Sequence, residues 1–505
     1  MSQKAVNRQK KFLKPREIEI CGERFTGWPG EKEILELLSG AKVITGRDFF
    51  GLTSLAELHD QRLTQAMFDI VLGKLVRLVY LKQVDFLFRF TKAGCHITND
   101  QLSLLLNVFR GKIDGKFLTQ ICLLITAGKD KLTDGNLNKL FSIGFDFSEM
   151  NFDIALLSQL VLVTDKEALD TGKLIKLLSE LDFKNQKLTP CILSQVALAS
   201  KKGSWNKIVL DLLLKEGLDC KKYKMDAVTL GQMALASEKE LWSEKIFDVF
   251  LKEELDFSTA MSVGAFNQII SAAKRKSITN AHLKKLLANG VEFSADRKMN
   301  FSRLSRISLK VKPRAITQDL LMKLIKKDEF AYDDKLDGGI LMQLSIAVAP
   351  GKITKEICEI LLKNGINKPM GIAILNQFSL AVEPHAINRV MIDKLFAGKD
   401  FENRGPVHIT LLLNIANAIV SRAMREEQLN MIVADGIEGY LNPGSDDEKA
   451  LIEAFGEDMV QRIIIPQIKD RRRQSVKDRF PKAREESQRR DNSSLRDSKK
   501  PVYIH

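Results

Sequence analysis

Apolar and polar positions along this chain follow a repeating grammar. In residues 265–294, AFNQIISAAKRKSITNAHLKKLLANGVEFS, an apolar run rich in small residues (FNQIISAA) breaks at the polar KRKS. Thr279 follows, a residue whose hydroxyl accepts from the first free N–H groups of a helix. In NAHLKKLLAN, Leu283, Leu286 and Leu287 then stand at i, i+3 and i+4, the spacing of one helical face. Gly290 suits the left-handed position past a helix end, and Val291 and Phe293 close the turn. The pattern predicts two helices per unit, a helix A over the first apolar run and a helix B ending near the glycine.

The unit recurs. A tetrad resembling Leu-x-Gln-x-x-(Leu/Ala)-Ala places anchor glutamines at Gln83, Gln120, Gln159, Gln195, Gln232, Gln268, Gln343 and Gln377, with Arg306 and Asn414 at two further places the period demands. The intervals are 37, 39, 36, 37, 36, 38, 37, 34 and 37 residues. Expected caps of helix B fall eleven residues after the anchor, at Ser243, Thr279, Thr317, Thr354 and Asn388. Glycine stops recur at Gly144, Gly217, Gly290, Gly365 and Gly398, and aromatics after them at Phe147, Phe183, Phe257, Phe293, Phe330 and Phe401. A unit of this size is too small to bury its own apolar face and must stack on its neighbours. The fold class expected is all-α, a right-handed α-solenoid of about ten helix-pair repeats of about 37 residues, with helical caps and a disordered C-terminal tail. The expected divisions are a basic arm over 1–16, an N-terminal helical cap over 17–65, the solenoid over 66–425, a C-terminal helical cap over 426–468 and a basic disordered tail over 469–505.

Composition agrees with a helical core. Of 505 residues, 45% are hydrophobic, only 7% are aromatic and 12 are proline, so the chain is poor in helix breakers. The six cysteines (Cys21, Cys95, Cys122, Cys191, Cys220 and Cys358) are scattered without a C-x-x-C pair, which implies a reducing compartment and no disulfide frame. No run of 18 apolar residues is present to span a membrane. The basic N-terminal segment is not followed by the apolar run of a secretory signal. The expected location is intracellular and cytoplasmic, with organelle or host-cell delivery open.

Charge sharpens the picture. Of the net +14, residues 1–16 carry +6 and residues 469–505 carry +7, which leaves +1 for residues 17–468. Within that near-neutral body the window 274–314 holds twelve Lys/Arg against Glu292 and Asp296, a local +10. Basic tails and a basic belt are handles for a polyanion; the plainer alternative is a solvated surface. The candidate nucleic-acid-binding residues are Lys274, Arg275, Lys276, Arg297, Lys298, Arg303, Arg306, Lys310, Lys312 and Arg314 in the belt, and Arg471, Arg472 and Arg473 in the tail. Convergence of Arg303, Arg306, Lys310 and Lys312 on the concave face would favour RNA binding, and scatter over the convex face would favour a protein scaffold. The anchor amides have two readings: a hydrogen-bonded structural role, from unit to unit or to loop backbone, or a row of ligand-reading groups.

Catalytic and metal-binding patterns are missing. There is no G-x-x-x-x-G-K-[ST], G-x-G-x-x-G, H-E-x-x-H or G-x-S-x-G. The six histidines lie far apart, and Cys95-His96 is the only adjacent Cys/His pair. A non-catalytic protein without a cofactor or metal is expected.

The tetrads LSQVALAS (193–200), LGQMALAS (230–237), LMQLSIAVA (341–349) and LNQFSLAV (375–382), with the period, resemble the octotricopeptide repeat, a relative of the pentatricopeptide class. The resemblance covers about residues 66–425 and lacks the repeat's tryptophan. The helix ends LLKNGINKP and LLANGVEFS also look like ankyrin repeats, but that period is 33 and its T-P-L-H signature is missing. The octotricopeptide resemblance implies a solenoid that binds single-stranded RNA, in the general manner of one base per repeat, and acts in RNA processing, stability or translation. The alternative is a protein-interaction scaffold with a protein partner, including a bacterial effector acting in a host cell.

Overall fold

The computed structural model describes residues 17–74, 83–108, 113–145, 152–181, 187–219, 224–252, 261–292, 298–326, 330–332, 336–367, 370–397 and 405–468. Phe147, Phe183, Phe257, Phe293, Gly398, Phe401 and the expected tail lie outside these residues. The chain divides into two compact units, one of Met1–Leu241 with Lys252–Asp256, the other of Trp242–Leu251 with Phe257–His505. Each is an α-solenoid of stacked helix pairs.

In the first unit helix A of successive repeats is Gly115–Gly128, Ile154–Val163, Pro190–Ala199 and Ala227–Ala236. In the second it is Val263–Ala272, Phe301–Lys310, Gly338–Ala347, Ile372–Ala381 and Ile409–Ala418. A short polar residue starts most of them: Asp153, Asp226, Ser262 and Asn300 each accept an N–H from the first turn. The anchor is the sixth residue of all nine helices, from Gln120 to Asn414. Gln83 departs from this register. It opens its helix, Gln83–Lys92, so its interval matched the period while its place in the helix does not.

Helix B is shorter than the sequence pattern. Asn280–Leu286 ends three residues before Asn289, and Leu287 already leaves helical geometry. Gly290, at φ +78°, then turns the chain with its N–H on the Leu287 carbonyl; Gly217 and Gly365 do the same on Leu214 and Leu362. Thr279, Thr354 and Asn388 cap their helices through the side chain, at 3.2, 3.4 and 3.0 Å. Ser243 and Thr317 hold the cap position without a side-chain bond.

Packing is like on like. Helix A stacks on helix A, as Phe301–Lys310 on Gly338–Ala347, and helix B on helix B, as Thr171–Ser179 on Lys207–Leu213. Leu193, Val196, Leu304, Ile307, Leu344 and Phe378 are fully buried between the rows. The turn from A to B also pairs with its successor. Leu169 bridges Ser200 and Trp205 bridges Ser237 in the first unit; Trp242 bridges Ala273, Ile278 bridges Val311, Ile316 bridges Val348 and Ile353 bridges Val382 in the second. The first residue of each bridge is fully buried, so one apolar side chain per repeat nails a turn to the next one.

The N-terminal segment adds a β-hairpin to the expected helices. Ile18–Ile20 pairs antiparallel with Glu23–Phe25 and packs on helix Gly46–Leu58. The approach is close enough that a Cβ on Gly51 would lie 2.6 Å from the Glu19 carbonyl oxygen. At the other end Ser445 caps helix Asp446–Phe455, which packs on Ile409–Ala418. A π-helical turn at Val460–Ile464 follows, with Val460 and Ile464 fully buried.

Candidate nucleic-acid interface

Helix A presents an open stripe made of its second, sixth and ninth residues, i, i+4 and i+7 on one face. In the second unit the sixth positions are Gln268, Arg306, Gln343, Gln377 and Asn414, and the ninth are Ser271, Leu309, Ile346, Leu380 and Asn417. Arg306 is the one charged residue of the stripe over these five helices, and it is exposed. In the first unit Ile154–Val163, Pro190–Ala199 and Ala227–Ala236 contain no charged residue at all, and their ninth residues Leu162, Leu198 and Leu235 are exposed by 50%, 42% and 36%. Exposed aliphatic side chains thus recur at the same place in successive helices, unlike isolated exposed leucines, which are ordinary.

Four of the anchor amides are hydrogen-bonded to the preceding repeat. The hydroxyls of Ser158 and Ser305 donate to the Oε1 atoms of Gln195 and Gln343 at 3.1 and 2.6 Å, and Ser194 donates to Gln232. Asn414 donates through Nδ2 to Oδ1 of Asn376 at 2.9 Å. Each donor–acceptor pair joins the fifth residue of one helix A to the sixth of the next, which is the ladder among the readings above. It breaks at Gln120 and Gln159, whose Oε1 atoms are buried without a partner. The helix before Gln120 has Leu87 at its fifth position, which offers no donor.

The A–B turns form a second row. Each has a residue in the left-handed region: Glu167, Gly203 and Glu240 in the first unit, and Lys276, Arg314, Gly351, His385 and Arg422 in the second, with φ between 55° and 73°. That geometry aims the backbone N–H at the next helix A, as Lys276 to the Leu309 carbonyl at 3.2 Å and Arg314 to Ile346 at 2.9 Å. The turns of Lys274, Arg275 and Lys276 and of Lys312 and Arg314 are thereby held one repeat apart, beside the stripe that carries Arg306.

The basic belt is therefore divided. Lys274, Arg275, Lys276 and Arg314 are exposed on the turns, and Arg306 is exposed on helix A. Lys312 is half-exposed and paired with Glu244 at 2.7 Å. Arg303 folds back to donate to the Lys298 carbonyl at the helix start, and Lys310 is buried at the helix end. Arg303, Arg306, Lys310 and Lys312 thus do not converge, because two of these long side chains turn inward. Lys298 is half-buried at the loop before helix A. Arg297, Arg471, Arg472 and Arg473 lie outside the described residues. Glu244 was not among the candidates; it is the first residue of its helix, 30 residues upstream of the belt, and only the stacking brings it there.

Among the described residues no cluster of three or more His, Cys, Asp or Glu side chains has the form of a metal site. Burial pushes the Cys95 thiol up to about 11 and that of Cys122 up to about 12, as expected for packing groups. No helix among the described residues is long and apolar enough to cross a membrane.

No family model and no curated protein matches the sequence. Among solved structures the chain is similar to the pentatricopeptide repeat protein PPR10 in complex with an 18-nt psaJ RNA element, with a TM-score of 0.24 and 13% identity over 84% of this chain and 77% of that one. A cysteine-substituted form of PPR10 in complex with the same RNA element gives the same values.

Proposed function

We propose that this protein is a non-catalytic RNA-binding solenoid whose second unit takes a single strand along its helix-A row, in the service of RNA processing, stability or translation. The observation that carries the reading is a pairing of surfaces: a stripe of amide and aliphatic side chains with a single charge, Arg306, bordered by turns bearing Lys274, Arg275, Lys276 and Arg314. Phosphates need cations and bases need flat, uncharged surface with hydrogen-bonding groups. Two such rows lying side by side suit a strand whose backbone follows the turns and whose bases lie on helix A.

Five exposed cations set the scale. With about 0.7 counterions released per single-strand phosphate contact, affinity falls roughly a hundredfold between 50 and 200 mM salt. In a filter-binding titration of an unstructured 20-nucleotide RNA, the triple substitution Lys274→Ala, Lys276→Ala, Arg314→Ala is expected to weaken binding by at least tenfold and flatten the salt dependence. No retention by the wild type at 50 mM salt, or equal binding by the variant, overturns the reading.

A second reading rests on the first unit. Its exposed Leu162, Leu198 and Leu235 lie on helices without charge, a surface also suited to an apolar protein partner. A stoichiometric protein retained after nuclease treatment and lost on Leu198→Glu supports that scaffold role.

A further inference from the structure

The first residue of helix B has a regular task. Asn280 donates through Nδ2 to the carbonyl of Ala315 in the following turn at 2.7 Å, and Arg389 reaches the turn at Ala423 and Arg422. Glu244 holds this position in its own repeat and cannot donate. Its carboxylate instead meets Lys312 at 2.7 Å, 68 residues away and two turns along the stack. The turn between the two is the one bearing Lys274, Arg275 and Lys276, since Trp242 bridges Ala273 and Ile278 bridges Val311. An acidic group thus reaches across the turn of Lys274, Arg275 and Lys276 and neutralises a cation of the turn after it.

We propose that Glu244 is an internal competitor for the RNA phosphate: it occupies Lys312 in the free protein and yields it when the strand binds. The inference rests on the RNA reading above and adds the group that tunes its affinity. The physical basis is the weakness of the pair. Both side chains are near 43–44% exposed, so water screens them, and a pair of this kind is easily exchanged for another anion. A strand phosphate carries the same single charge as the carboxylate, but it comes with neighbouring phosphates that reach the adjacent turn cations, and its binding releases counterions from the strand. The carboxylate holds Lys312 in place beside the turn and lowers the attraction of the belt for anions until a polyanion arrives.

The test uses the full chain and an unstructured 20-nucleotide RNA at 100 mM salt, with thermal melting to confirm that each variant is folded. Glu244→Gln removes the charge and keeps the shape. It is expected to tighten binding about two- to tenfold with little change in the salt slope, because Lys312 meets a phosphate in both complexes. Glu244→Asp keeps the charge but is one methylene shorter, and is expected to give part of the gain, which separates the local pair from net charge. Asp319→Asn, an exposed neutralisation elsewhere in the unit, is expected to change affinity less than twofold. If the wild type binds and Glu244→Gln binds no tighter, or if Asp319→Asn gives the same gain, the competitor role is overturned while RNA binding stands. If neither the wild type nor Glu244→Gln binds RNA, both readings fall.

Discussion

At the scale of single residues, Lys173 shows how a buried charge is accommodated in the solenoid. Lys173 lies in helix B with its side chain 8% exposed, and its ammonium donates to Asp134 at 2.6 Å, Asp170 at 3.0 Å and the Ala168 carbonyl at 3.2 Å. Burial alone favours the neutral lysine, but the hydrogen bonds to Asp134 and Asp170 outweigh it and raise the ammonium above its ordinary range. For Asp170 burial is again opposed, by the backbone and side-chain donors of Lys173, and its carboxyl lies below its ordinary range. The stabilisation from Asp170 is therefore present above about pH 4 and lost as pH falls through its depressed value; that from Lys173 is lost only as pH rises past about 10. Lys173→Met is expected to cost about 1–2 kcal/mol at pH 7, less than a fully buried pair because both aspartates stay half solvated. Urea unfolding at pH 7 and pH 3 checks this: the difference between wild type and variant narrows at pH 3, and an equal difference at both pH values contradicts the account.

At the scale of elements, the A–B turn shows where a sequence stops speaking. Its left-handed residue is Gly203 in one repeat and Glu167, Glu240, Lys276 or Arg314 in others. Nothing lies within 4 Å of a Cβ built on Gly203, so a side chain there costs only backbone strain. Gly203→Ala is expected to destabilise by about 1 kcal/mol and Gly203→Asn by less, since asparagine tolerates this region. Glu167→Gly is expected to be neutral within about 1 kcal/mol, relief of strain offsetting the looser unfolded chain. Denaturant midpoints order the variants, and a cost above about 3 kcal/mol for Gly203→Ala indicates a steric role instead. The anchors and caps were legible because each depends on residue type at a fixed place in a helix, so Thr279 and Asn388 read directly as caps. The turn was not, because its conformation is imposed by the N–H of Lys276 or Arg314 reaching the next helix A, a contact made 32 or 33 residues away. The same distance hid the fate of the belt. Spacing told that Arg303 and Lys310 lie in one basic helix, but side chains this long fold back onto local backbone or slide into the packing, which no linear pattern records.

At the scale of the whole molecule, the net charge is a poor guide to where an anion is held. The segments 1–16 and 469–505 supply nearly all of the +14, whereas the body is near neutral with its positive charge gathered in 274–314. Attraction by net charge is long-ranged, insensitive to RNA sequence and strongly screened, whereas the turn cations sit at fixed spacing beside a stripe of amides. Removing both terminal segments lowers the net charge from +14 to +1. A body consisting of residues 17–468 is expected to lose most of its affinity for heparin and for RNA of any sequence at 50 mM salt. Its residual RNA binding should remain sensitive to the Lys274, Lys276 and Arg314 substitutions and to Glu244→Gln, because those groups are held by the stack. Competition binding of the full chain and the shortened body against heparin separates the two contributions. Complete loss of RNA binding by a folded body would place the interface in the terminal segments and remove the turn row from the account.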